Sequence, residues 1–436
     1  MTKLYFKISS FSTYNKIILV IFIHIIISII AYYLMYTYSA SDFLLPDQDN
    51  LIHFDAYWYY TIKEYGYKYE PNTGNSLAFF PLFPLVWRFS TLSEVSICIF
   101  NYALFIFSFV FLLKDEKLHS NILLLLLSFP SFIFFSLPYS ESFFFLFSAF
   151  IILGYKKNSN VLLCIGFFGA SLVRSVCVIF VPAIILCELL NLDSGKSKKQ
   201  RIAQVLLRLI YSISGLLVAM IYVYYKTGTW FYFIEIQKYW NRHWLMPRFP
   251  LTTYSAKRVL GLDGIVFMLG LFAIYFGFKA ALLWKKKQTK SSGSSNSIAN
   301  STVLFSALYM AGMTILDTFF TFYKNGSTCI WSLNRHVICT PFSIIFIIYL
   351  IRDFRPNLYE SITIVFLIFL GVFITGIYRY ANVPVLGFYA CYFSTFCLLK
   401  IKSFFHLNKF FILYYAIALY LQVQFFNDFL CGRWVG

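Results

Sequence analysis

Apolar runs of roughly 18 residues or more recur from one end of this chain to the other, and a run of that length crosses a bilayer as a helix. The first is "KIILVIFIHIIISIIAYYLMY", residues 16–36. It is too long for a signal-peptide core and lacks a small-residue cleavage site, so it reads as a retained span. A soluble domain carries about 25% charged residues; here 12% of 436 residues are charged and 60% are hydrophobic. The class that follows is an all-α polytopic membrane protein, read as one integral-membrane domain over residues 1–436.

The net charge of +18 does not point to nucleic acid. Its basic residues gather in short clusters between apolar runs: Lys196, Lys198, Lys199 and Arg201; Lys285, Lys286, Lys287 and Lys290; Lys400 and Lys402. That is the pattern of cytoplasmic loops facing anionic lipid, and no folded basic domain accompanies it. The nine cysteines form no CxxC pair and read as buried thiols. The six histidines form no HxxxH or HExxH, so no metal ligands are assigned and the need for a divalent ion stays open. Neither a Walker nor a GxGxxG element is present, which leaves a soluble nucleotide cofactor without support.

Spans are expected near 17–38, 96–113, 122–137, 142–155, 161–190, 209–226, 263–284, 302–323, 336–351, 360–378, 385–399 and 410–427, with 161–190 crossing twice as two short or tilted helices. With the N-terminus inside, the basic clusters all fall on the cytoplasmic face, giving about 11–13 transmembrane helices. The low-complexity stretch "KKKQTKSSGSSNSIANS" (285–301) reads as a flexible cytoplasmic linker. Residues 39–95 form the first outside loop, on the lumenal or periplasmic side.

That loop carries seven of the chain's 18 carboxylates, three of them in "HFDAYWYYTIKEYGYKYE" (53–70). Leu51, Phe54, Trp58, Ile62 and Tyr65 recur at helical spacing, predicting an interfacial helix held by aromatic side chains. Asp55, Tyr59 and Lys63 form a row flanking that face. A carboxylate fixed at headgroup depth can deprotonate a hydroxyl of a membrane-bound substrate; the plainer reading is an Asp that caps or solvates the helix. Beyond it, "AFFPLFP" (78–84) holds two prolines three apart, which breaks a spanning helix and suggests a re-entrant or interfacial piece.

"FPSFIFFSLPYSESFFFLF" (129–147) is broken in the same way, with Tyr139 and Glu141 at its outside end. Glu141 reads as a buried carboxylate served by neighbouring hydroxyls, as a first-turn residue behind a Ser140 cap, or as both at once. Arg174 lies in an apolar stretch, where insertion costs about 2.5–3.5 kcal/mol; Glu141, Asp55 or a lipid phosphate are its candidate partners. Arg242 in "TGTWFYFIEIQKYWNRHW" (227–244) and Arg335 in "WSLNRHVICTPF" (331–342) reach the same face, as phosphate ligands or as interface anchors. Among the histidines, His53, two residues before Asp55, is the one marked for the site.

"FDAYWYYTIKEYGYKYE", then "AFFPLFP", "PYSES" and "LVRS", taken in order, resemble the PIG-V family of mannosyltransferases, membrane glycosyltransferases of GT-C type. The resemblance covers mainly residues 50–180, and Phe54 stands where the family often has Trp. It implies mannose transfer, with inversion, from a polyprenyl (dolichyl) phosphate donor on the non-cytoplasmic face. The implied base is Asp55, with Arg174, Arg335, Arg242, Glu141, Tyr139 and His53 around the donor phosphate and substrate. The implied acceptor is the GPI-anchor precursor, at its second mannose in α-1,6 linkage, or a prokaryotic envelope glycan. The location is the endoplasmic reticulum membrane for a eukaryotic chain and the plasma (inner) membrane for a prokaryotic one. Partners would be the two lipid-linked substrates, membrane lipids and an accessory membrane subunit. The alternative from another class is a transporter or flippase for a lipid-linked sugar, although transporters usually carry internal repeats and none is visible between the halves.

Overall fold

The computed structural model describes residues 13–39, 42–175, 177–190, 197–253, 259–289, 300–376 and 408–436. Among these, six helices are long and apolar enough to cross a membrane, or seven if one bent pair counts as a single span. The chain is a mostly helical multi-pass membrane protein. The six are α1 (Thr13–Tyr38), α4 (Glu94–Leu113), α9 (Lys198–Thr227), α11 (Val259–Thr289), α12 (Ser301–Phe319) and α15 (Leu358–Thr375).

The count falls short of the expected 11–13 because several predicted spans are short helices. Residues 161–190 do form two, α7 (Asn160–Val173) and α8 (Cys177–Leu190), each of 14 residues. The span expected at 122–137 is α5 (Ser120–Leu127) followed, after Phe129, by a 3₁₀ turn over Pro130–Ser136. The span expected at 336–351 is split into α13 (Leu333–Ile338) and α14 (Pro341–Arg352). The expected 385–399 span lies outside the described residues, as does most of the 285–301 linker; its first residues are not loop but the end of α11. The last described helix is α16 (Asn408–Leu430).

Two local features position the site. The first is a break. The 3₁₀ turn and α6 (Glu141–Lys157) meet at 103° around Leu137–Ser140. Such a break frees backbone carbonyls that lipid cannot satisfy. Asn101, buried on α4, donates Nδ2 to the Leu137 and Tyr139 carbonyls at 2.7 and 3.0 Å. The second is close antiparallel packing of α6 on α7, with glycine at the contact. A Cβ on Gly166 would fall 2.8 Å from the Phe147 carbonyl oxygen, so only a residue without one lets the helices approach this far. The start of α6, with Glu141, is thereby set beside the end of α7, with Arg174.

The helix expected in the first loop is present but begins later than expected, as α2 (Asp55–Tyr65). Its buried positions are Ala56, Tyr59 and Ile62, and Tyr65 is exposed. The predicted apolar face is therefore rotated, and the polar row turns inward. Tyr59 donates to Ser140 Oγ at 3.0 Å, and Lys63 to Glu94 at 3.0 Å. "AFFPLFP" forms the junction into α3 (Leu82–Ser90), and Phe79 and Phe83 pack edge-on against Tyr59 at 5.1 and 4.9 Å.

Candidate functional site

Asp55 is the first residue of α2, entered through Phe54 at φ +56°, an uncommon backbone for a residue with a side chain. Its Oδ2 lies 2.6 Å from Arg335 Nη2. Arg335 sits on α13, which is likewise entered through a positive-φ residue, Ser332. The Nε of Arg335 lies 3.0 Å from Glu141 Oε1, and the same oxygen is ion-paired with Arg174. Arg174 Nε also donates to Ser140 Oγ at 3.3 Å. Two carboxylates and two guanidiniums from four separate segments thus form one chain of ion pairs. The Glu141 side chain is fully buried, where an ion survives only if matched.

α13 is held by a second buried carboxylate. Asp263 Oδ1 accepts from the backbone N–H and Nδ2 of Asn334 at 2.8 and 2.7 Å, and Oδ2 accepts from Thr253 Oγ1 at 2.9 Å. This satisfies an orphan donor in the first turn of α13 and fixes the residue next to Arg335.

Above the ion pairs lies a cleft of about 720 Å³. Asp55, Arg174, Arg242 and Arg335 all line it. Arg242 precedes a two-residue strand, β1 (His243–Trp244), which pairs antiparallel with β2 (Phe320–Thr321) and so ties this loop to the end of α12. Its guanidinium lies 5.0 Å over Trp331, which stacks on Trp434 at 5.4 Å; Trp434 meets Phe54 edge-on at 4.9 Å. Among the described residues Arg242 has no carboxylate within salt-bridge distance. Burial pulls its pKa below the ordinary arginine value, with the Asp317 and Asp55 charges opposing that, yet a guanidinium stays charged. Arg335 is displaced the other way: burial would lower it, but Asp55 and Glu141 raise it further.

The remaining expected residues stand apart from the cleft wall. Glu141 and Tyr139 are buried beneath it. Glu141 grips Arg174 and Arg335, and the Tyr139 ring lies 5.2 Å under the Arg335 guanidinium. Ser140 stands at the N-terminal position of α6 without a side-chain cap bond; its hydroxyl serves Tyr59 and Arg174. His53 turns away, because the backbone reverses at Phe54. It contacts the Leu430 carbonyl through Nε2 at 3.3 Å and packs against Phe429. The histidine that does line the cleft is His336, paired with Asp317, and sequence reasoning did not single out Asp317. Also unforeseen was the aromatic lining: Trp58, Trp240, Trp244, Trp331 and Trp434, five of the chain's eight tryptophans. Among the described residues no group of three or more His, Cys, Asp or Glu side chains could hold a metal ion.

Comparison of the chain with family models, with curated proteins and with solved structures yields no match.

Proposed function

We propose that the chain is a membrane glycosyltransferase of GT-C type, moving mannose from a polyprenyl (dolichyl) phosphate to a lipid-linked glycan on the non-cytoplasmic face. The helix count of that plan would then include the short helices α7, α8 and α14 as crossings. The observation that carries the proposal is the convergence of Asp55, Arg174, Arg242 and Arg335 on one tryptophan-lined cleft. Inverting sugar transfer asks for those three things together: a fixed base, cations at the departing phosphate, and aromatic faces for sugar rings.

Asp55 Oδ2 is held by Arg335, leaving Oδ1 for an acceptor hydroxyl. As that proton moves to Oδ1, the acceptor oxygen attacks the anomeric carbon from the face opposite the phosphate. The bond to the phosphate oxygen breaks, and the phosphate departs with the electron pair. Negative charge grows on the phosphate, where arginine donors already fixed in place stabilise it without reorganisation. The Arg335 contact fixes the position of Asp55, and position is the first requirement of a general base. Glu141 and Tyr139 act one layer below, holding the arginines.

The test is transfer from radiolabelled dolichyl-phosphate mannose in membranes containing the protein, with extracted lipids separated afterwards. Label in a new glycolipid is the expected result. Label that crosses the bilayer with no new glycosidic bond would replace this reading with the flippase.

A further inference from the structure

The residue beside Arg335 carries its own carboxylate partner. His336 Nδ1 lies 2.8 Å from Oδ2 of Asp317, in the last turn of α12. Asp317 is 3% exposed and His336 8%, and both line the cleft. The backbone carrying the ring is held by Asp263, which fixes Asn334 two residues earlier, and by the Tyr309 hydroxyl, which reaches the His336 carbonyl at 3.5 Å; Asp317 orients the ring itself. A carboxylate at Nδ1 calls for N–H there, so Nε2 of the neutral ring is an acceptor. Among the described residues Nε2 has no partner. Burial lowers the pKa of this histidine below 6.5, and the neighbouring Arg335 and Arg174 charges act in the same direction against Asp317. Burial thus favours the neutral ring.

The three arginines of the cleft can only donate, which suits phosphate oxygens. A sugar hydroxyl brings an O–H that needs an acceptor, and His336 offers one that is preoriented and nearly dry. We propose that His336, oriented by Asp317, reads a hydroxyl: Nε2 accepts the O–H of one sugar hydroxyl on a bound substrate and makes that hydroxyl a requirement. The inference rests on the glycosyltransferase reading and is separate from the proton that Asp55 removes. Discrimination arises because a substrate lacking the hydroxyl leaves a buried acceptor unpaired. Both the donor sugar and the acceptor glycan carry such hydroxyls.

The experiment uses the full chain in detergent, with dolichyl-phosphate mannose and its single-deoxy forms, one for each ring hydroxyl, and a matching deoxy set of an alkyl mannoside acceptor. Binding is read by tryptophan fluorescence and transfer by kcat/KM. One deoxy compound should bind or react about tenfold or more worse with the wild type, and His336→Phe should erase that difference by weakening the natural compound equally. Asp317→Asn, which releases the tautomer, should erase it too and serves if His336→Phe does not accumulate. The set in which the penalty falls assigns the hydroxyl to donor or acceptor. Equal deoxy penalties in wild type and both variants would overturn the inference while transfer stands. Wild-type binding with the selective penalty but no transfer would keep the inference and sink the enzyme; neither binding nor transfer would sink both.

Discussion

The two ends of the molecule use the same device in opposite surroundings. At the end expected to face the cytoplasm, Glu116 takes two cations from other segments, Lys156 at 2.9 Å and Arg352 at 2.7 Å. At the other end Glu141 also takes two, Arg174 and Arg335. The Arg352 side chain is 49% exposed, whereas that of Arg335 is 9% exposed. Exposed pairs exchange readily with water and contribute little. Buried ones carry a desolvation cost and hold only while every charge is matched. The Glu116 cluster therefore ties its loop to the ends of α6 and α14, and the Glu141 cluster fixes a constellation. Among the described residues, only the Glu141 cluster adjoins a cleft where a further arginine, Arg242, has no carboxylate within salt-bridge distance.

Breaking the two devices should separate them, beginning with the largest effect. Glu141→Gln leaves Arg174 and Arg335 without their shared partner, and the loss expected for a broken buried pair is about 3–5 kcal/mol. Thermal melting in detergent should show it as a sharp drop in midpoint or as failure to accumulate; a midpoint within a degree of wild type would mean that the buried chain of ion pairs is not what holds this end. Asp263→Ala strands the Asn334 donors, at about 1–3 kcal/mol. It should also slow transfer more than its melting change explains, since α13 carries Arg335; a purely thermal defect would show that α13 is positioned by packing alone.

The pH dependence sharpens the contrast. His336 lies below its ordinary value of 6.5, through burial, with Asp317 opposing and Arg335 and Arg174 reinforcing. The unfolded chain takes up a proton there before the folded one does. The stability this group contributes is thus present above 6.5 and is lost as pH falls below it. The melting midpoint should fall further between neutral and mildly acidic pH for wild type than for His336→Gln; equal falls would contradict the assignment. Glu116 has the sign of an ordinary paired carboxylate: burial raises its pKa, but Lys156 and Arg352 outweigh that and hold it below 4.5. Its contribution is present above 4.5 and fades as pH falls through the lowered value. The smallest effect is expected at this end, with Glu116→Gln costing under about 1 kcal/mol at neutral pH; a loss matching that of Glu141→Gln would abolish the distinction between the ends.

Apolar length made the long helices readable, and the prolines marked the breaks at 78–84 and 130–138. The pairing of 160–190 as two short helices was also legible, because so long an apolar run has room for a turn. What sequence could not supply was orientation. The spacing of 51–65 fits a helix, yet the face that docks is chosen by partners far along the chain: Ser140, Glu94 and Arg335. His53 looked close to Asp55 by number, but the reversed backbone at Phe54 sends it elsewhere. Asp263, Asp317 and Asn101 were each visible as a lone polar residue within an apolar stretch, a signal in itself. Their partners were not, since Asp317 meets His336 only through the way the stranded segment 320–332 folds back after α12.

The most direct test of the central claim sets the two ends against each other in one assay. Mannose transfer from dolichyl-phosphate mannose is measured in membranes with matched amounts of wild type, Asp55→Asn and Glu116→Gln. The account predicts a loss of about 10²–10⁴-fold for Asp55→Asn, with Glu116→Gln close to wild type. Wild-type transfer by Asp55→Asn at equal expression would contradict it.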